Sequence, residues 1–159
     1  VRALDVLATQ SEIDMSRVAL TGISQGGALT LAVAALDSRP VLALADVPYL
    51  CHFERSVDMA VRMPFLEISD YIRTYPERER QVYRTLSYFD NMNLAPWVRC
   101  PTLISVALLD DICPPSGIFA AYNRLECPKE IAVFRYHNHE DVPAHWRTKL
   151  ARAGRYLAG

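Results

Sequence analysis

Ser24 stands at the centre of Gly22-Ile23-Ser24-Gln25-Gly26, a GxSxG pentapeptide. An apolar run, Arg17–Thr21, precedes it, and a small, apolar stretch, Ala28–Leu36, follows. That setting predicts strand, tight turn and helix, the arrangement that lifts a serine hydroxyl clear of its backbone as a nucleophile. Crowding in such a turn calls for small residues two positions before and after the serine. The N-terminus of the following helix offers free N–H groups and partial positive charge. The N–H of Gln25 is therefore the expected donor to a developing oxyanion. A glycine-rich turn that merely begins a helix is the plainer reading, and the flanking strand and helix favour the nucleophile.

Serine is a weak nucleophile without a base, and the base needs a group to orient it. The histidines are His52, His137, His139 and His145. In a strand–elbow–helix architecture the order along the chain is serine, acid, histidine. Asp110 follows the apolar run Pro101–Leu108, and His137 and His139 follow Ile131–Tyr136. Spacing leaves both histidines open as the base. His52 comes too early, and His145 falls in the terminal helical stretch. Asp111 is expected to diverge from Asp110 as a turn residue, whereas Asp46, at a strand end, is an alternative acid. Glu140 and Asp141 are too local to orient His139 and are expected to cap the last helix. Cys113 has no elbow around it and reads as a small buried hydrophobe. Phosphate-loop (GxxxxGK[ST]) and dinucleotide (GxGxxG) motifs are absent, so no such cofactor is expected. Tyr71, Tyr75, Tyr83 and Tyr88 could wall a pocket or pack helices.

These residues need a scaffold. The chain of 159 residues is 51% hydrophobic and 22% charged, enough for one domain and too apolar for wholesale disorder. Its formal charge of -1 lacks the basic footprint of a nucleic-acid binder. No apolar stretch is long enough for a membrane-spanning helix. The four cysteines, Cys51, Cys100, Cys113 and Cys127, form no CxxC pair, so neither a structural metal nor a disulfide is implied. Val41–Asp46 and Pro101–Leu108 hardly alternate, as expected of parallel strands buried on both faces. Strands alternating with helices predict an α/β fold. Residues 53–95 lack a strand signal and read as a helical excursion of three short helices, Phe53–Arg62, Phe65–Thr74 and Glu77–Leu86. Ser116–Leu125, capped by Ser116, and Pro143–Leu157 are the later helices. Val1–Leu7 reads as a helix already under way, so the chain is expected to begin inside a longer protein.

Several further stretches sharpen this reading. They are Arg17–Gly27, Ala45–Leu50, Thr85–Asp90 with Asn93-Leu94-Ala95, Asp110 with Pro114-Pro115, Phe119–Asn123, and Tyr136 with His139-Glu140. Together they resemble the C-terminal half of the cephalosporin-C deacetylase and acetyl xylan esterase family, carbohydrate esterase family 7. The resemblance implies a partial α/β-hydrolase domain over residues 1–159, with the N-terminal strands of the sheet absent. It implies Ser24 as nucleophile, Asp110 as acid and His139 as base, so it separates His139 from His137. Gln25 is then a backbone oxyanion donor, and a loop with a tyrosine in the absent half is the other. The implied chemistry is removal of acetyl groups from acetylated xylo-oligosaccharides and cephalosporin C through an acyl-enzyme, with no metal or organic cofactor. A homo-oligomer, ring-like and hexameric in the family, and a cytoplasmic setting are implied too. Ile23 departs from the glycine of close relatives, and His137-Asn138 from a common Phe-Gly; both bear on elbow packing and loop rigidity. The alternatives are a serine hydrolase of another class (peptidase, lipase or thioesterase) and an inactive fragment that needs a partner to fold.

Overall fold

In the computed structural model, which describes residues 1–157, four parallel strands form one sheet in the order β1-β2-β3-β4. They are β1 (Ala19–Ile23), β2 (Leu42–Asp46), β3 (Thr102–Ala107) and β4 (Lys129–Phe134). The helices are α1 (Arg2–Leu7), α2 (Gln25–Leu36), α3 (Phe53–Asp58), α4 (Phe65–Thr74), α5 (Glu79–Leu86), α6 (Asn91–Leu94), α7 (Pro115–Arg124) and α8 (Pro143–Leu157). Among the described residues no helix is long and apolar enough to cross a membrane.

The central strands β2 and β3 are buried along their whole length, which is why their sequences scarcely alternate. Their side chains still divide between two faces. Ala43, Ala45, Ile104 and Val106 face Leu31 and Ala34 of α2 and Ile118 of α7. Leu42, Leu44 and Leu103 face the other way, towards Ala153 of α8. Small alanines on the first face let α2 lie close to the sheet, which brings its N-terminus to the carboxyl ends of β1 and β2.

The excursion differs from its sequence reading in detail. Helix α3 stops at Asp58 rather than Arg62, and α6 was not expected. Buried Asp90 accounts for α6 and for where α3 begins. Its carboxylate accepts the N–H of His52 and of Phe53, each at 2.8 Å, at the start of α3. It also accepts the N–H of Met92 at 2.8 Å, which caps α6. One carboxylate thus caps α6 beside it and the start of α3, whose N–H groups lie 37 and 38 residues away, a pairing no local pattern reveals. Phe53, Val57 and Phe65 form the excursion's own apolar cluster, with Tyr83 and Leu86 against it. The ring of Tyr71 lies 5.1 Å from that of Tyr75. Of the four tyrosines, Tyr83 packs against the cluster, whereas Tyr71, Tyr75 and Tyr88 are exposed. The cap expected at Ser116 is also corrected. Helix α7 begins at Pro115, so Ser116 lies inside its first turn, and a proline at the first helical position already has the required φ.

Candidate active site

Strand β1 ends at Ile23 and α2 begins at Gln25, so Ser24 alone makes the junction. Its φ is 56°, a left-handed value uncommon for a residue with a side chain and characteristic of a nucleophile elbow. The surrounding backbone over-determines it. The Ser24 N–H donates to the Asp46 carbonyl at 2.9 Å, and the Ser24 carbonyl accepts from Tyr49 at 3.0 Å and from Ala28 at 2.9 Å. Gln25 is the first residue of α2, where a backbone N–H has no acceptor within its own helix.

The glycines around the serine have unequal duties. A Cβ on Gly22 would lie 2.3 Å from the carbonyl carbon and oxygen of Gly26. A Cβ on Gly27 would lie 2.7 Å from the Asp46 carbonyl oxygen, whereas one on Gly26 would meet nothing within 4 Å. The expected need for a small residue two positions after the serine is therefore displaced by one residue, to Gly27, where α2 passes over the end of β2. Gly22→Ala must push the elbow apart. It is expected to destabilise the fold by about 1–3 kcal/mol and to lower turnover about 10²-fold. Thermal melts and ester hydrolysis beside a milder Gly26→Ala check this.

Asp110 and His139 arrive from the loops after β3 and β4. The Asp110 side chain is fully buried, and that of His139 is 18% exposed. Asp110 Oδ1 accepts the N–H groups of Ile112 at 2.9 Å and Cys113 at 2.7 Å. Its Oδ2 lies 2.8 Å from His139 Nδ1. A carboxylate only accepts, so Nδ1 carries the proton and Nε2 presents its lone pair. That Nε2 lies 3.0 Å from Ser24 Oγ. The chain Asp110–His139–Ser24 is thus continuous, and it can take the serine proton as Oγ attacks a carbonyl.

Asn138 draws the two loops together, a role the sequence reading missed. Its Oδ1 accepts the N–H of Asp111 at 3.3 Å and of His139 at 2.8 Å. The departure from Phe-Gly at this point supplies a bond that glycine cannot make. His137 turns away, with its Nδ1 2.9 Å from Glu140. Asp111 pairs with Arg62 at 2.7 Å. The capping roles expected of Glu140 and Asp141 are corrected. Glu140 engages His137 and the Asn138 N–H, and Asp141 accepts from the Trp146 indole at 3.0 Å. His52 sits before α3 at φ 52°.

Asp46 is not the acid of this triad. Its carboxylate is engaged by His145 at 3.0 Å and by Lys149, two residues that no motif marked. Burial opposes the charge of Asp46, but the hydrogen bonds from His145 and Lys149 outweigh it and hold the carboxyl below its ordinary pKa. Cys113 is buried as expected, and desolvation, with Asp110 nearby, pushes its thiol up to about 12. Donor atoms of Asp110, Cys113 and His139 lie within 4.8 Å of one another. A soft cation there would compete with the Asp110–His139 hydrogen bond.

The profile of the acetyl xylan esterase (AXE1) family matches residues 1–155. The acetyl esterase Axe7A of Xylanibacter ruminicola is 32% identical over 149 residues, which are 93% of this chain and 31% of that protein. The acetyl xylan esterase from Paenibacillus sp. R4 superposes with a TM-score of 0.94 at 49% identity, covering 98% of this chain and 50% of its own. Acetyl xylan esterase 1 from Thermoanaerobacterium sp. JW/SL YS485 superposes with a TM-score of 0.89 at 34% identity, covering 96% and 49%. The chain thus spans about half the length of these solved relatives and about a third of the first.

Proposed function

This chain belongs to the acetyl xylan esterase family and carries part of the α/β-hydrolase fold of its relatives; from that premise we propose that the protein is a serine acetyl esterase. It removes acetyl groups from acetylated xylo-oligosaccharides and from cephalosporin C. The observation that supports this reading best is the hydrogen-bonded chain from Asp110 through His139 to Ser24, at 2.8 and 3.0 Å.

In the proposed reaction His139 Nε2 takes the proton of Ser24 as Oγ attacks the acetyl carbonyl. Asp110 keeps the imidazole in the productive tautomer and stabilises its cation. The Gln25 N–H, reinforced by the positive end of α2, holds the developing oxyanion. His139 then protonates the leaving alcohol. Water, deprotonated by the same imidazole, attacks the acetyl-enzyme and frees acetate and Ser24. No step calls for a metal or organic cofactor. On the family likeness the proposal extends to residues 1–159 as one partial hydrolase domain with its excursion at 53–95, to a homo-oligomer of hexameric form, and to a cytoplasmic setting.

The acyl group decides among hydrolase classes. The protein carrying this chain is expected to hydrolyse p-nitrophenyl acetate with a kcat/KM about tenfold or more above that for the butyrate, and higher still against the octanoate. Deacetylation of acetylated xylo-oligosaccharides and cephalosporin C is then measured directly. A preference for long acyl chains or for an aminoacyl amide would point to a lipase, thioesterase or peptidase instead.

A further inference from the structure

Helix α8 is docked through charge. Its buried residues are His145, Lys149 and Arg152, which share one helix face. Trp146 and Leu150 are left exposed. A helix on a globular surface ordinarily does the opposite. Lys149 Nζ donates to Asp46 Oδ2 and lies 3.4 Å from Thr21 Oγ1 on β1. His145 Nε2 donates to Asp46 Oδ1 at 3.0 Å, and Arg152 pairs with Glu130 on β4. Anchoring alone does not call for such groups. Burying ions costs several kcal/mol each, and apolar replacements of similar volume often hold as well or better.

The position of Asp46 gives the network a purpose. Asp46 closes β2, and its main-chain carbonyl accepts the N–H of Ser24 at 2.9 Å. Its side chain meanwhile grips α8, the helix that starts directly after the loop bearing His139. The Phe134 ring lies edge-on to His137 of that loop and to His145 of α8, at 5.6 and 5.3 Å. Main chain and side chain of one residue therefore hold the nucleophile and the helix behind its base.

We propose that Asp46, through His145 and Lys149, is a positioning residue that couples Ser24 to His139. The proposal rests on the serine-hydrolase reading of the site. Asp46 touches neither substrate nor the reacting atoms; it fixes where the His139 loop stands relative to the elbow. A misplacement of about 1 Å between base and nucleophile costs about 10²-fold in rate, so the coupling acts on turnover and leaves substrate binding largely alone.

The test uses the protein carrying this chain and two readouts, acetyl ester kinetics and the labelling rate of Ser24 by a fluorophosphonate probe. Asp46→Asn is compared with parent, with circular dichroism as the check on folding. The expected result is a folded variant with kcat and labelling rate lowered about 10²-fold and KM within about threefold. A folded Asp46→Asn labelled at the parent rate overturns the proposal. Should that variant lose its fold, the decision passes to His145. His145→Gln keeps a donor for Asp46 and is expected to keep most of the labelling rate, whereas His145→Leu loses at least about tenfold. Equal behaviour of the two His145 variants overturns the coupling. A parent that is not labelled at all refutes the serine reading and the coupling with it, an outcome distinct from a labelled parent whose variants match it.

Discussion

Ser24→Ala is expected to lower kcat for acetyl ester hydrolysis about 10⁶-fold, the scale seen when the nucleophile of a serine triad is removed. No other hydroxyl can stand in. Attack requires an oxygen 3.0 Å from His139 Nε2 that is also aimed by the elbow beside the Gln25 N–H. The other hydroxyls near this end of the sheet are committed elsewhere: Thr21 faces Lys149, and Ser105 accepts the Val47 N–H. The fold is expected to survive. The elbow is held by main-chain bonds from Ser24 to Asp46, Tyr49 and Ala28, none of which involves the hydroxyl. A melting temperature near that of the parent, together with lost hydrolysis, identifies a chemical defect rather than a structural one.

Asp110→Asn is expected to cost about 10⁴-fold in kcat with KM little changed. The amide fits the space of the carboxyl, and the N–H groups of Ile112 and Cys113 still require an oxygen at the Oδ1 position. That requirement fixes the orientation of the amide and turns its NH₂ towards His139 Nδ1. Two donors cannot share that contact, so the imidazole must place its proton on Nε2 and present N–H to Ser24. The base is then in the wrong tautomer. Steady-state kinetics beside thermal melts check this, because a loss of turnover without a comparable loss of stability separates the tautomer effect from unfolding.

The scaffold could be read from the sequence because parallel strands buried on both faces leave runs such as Leu42–Asp46 and Thr102–Ala107. The helices α4 and α8 match their expected limits, Phe65–Thr74 and Pro143–Leu157. The nucleophile elbow is legible for a local reason: strand, turn and helix are contiguous. What stayed hidden lies in contacts between distant residues. Spacing left His137 and His139 open, and only the resemblance separated them. In space, His139 reaches both Asp110 and Ser24, while His137 meets Glu140. Asp90 caps α6 beside it and also holds the start of α3 from 37 residues away. Asp46, His145 and Lys149 meet only because β2 and α8 cross, and a polar triplet on a helix reads in sequence as a solvated face. Asn138 is legible in sequence only as a departure from a common pair; in space its side-chain oxygen bridges the loops that carry Asp110 and His139.

In the proposed reaction Ser24 carries the acetyl group during turnover. Acid quenching of the protein carrying this chain within the first turnovers of p-nitrophenyl acetate, followed by peptide mass analysis, tests it directly. One acetyl group is expected on the peptide containing Ser24, and none on that peptide in Ser24→Ala. Acetyl on another residue at the same early time, or hydrolysis in Ser24→Ala at the parent rate, would contradict it.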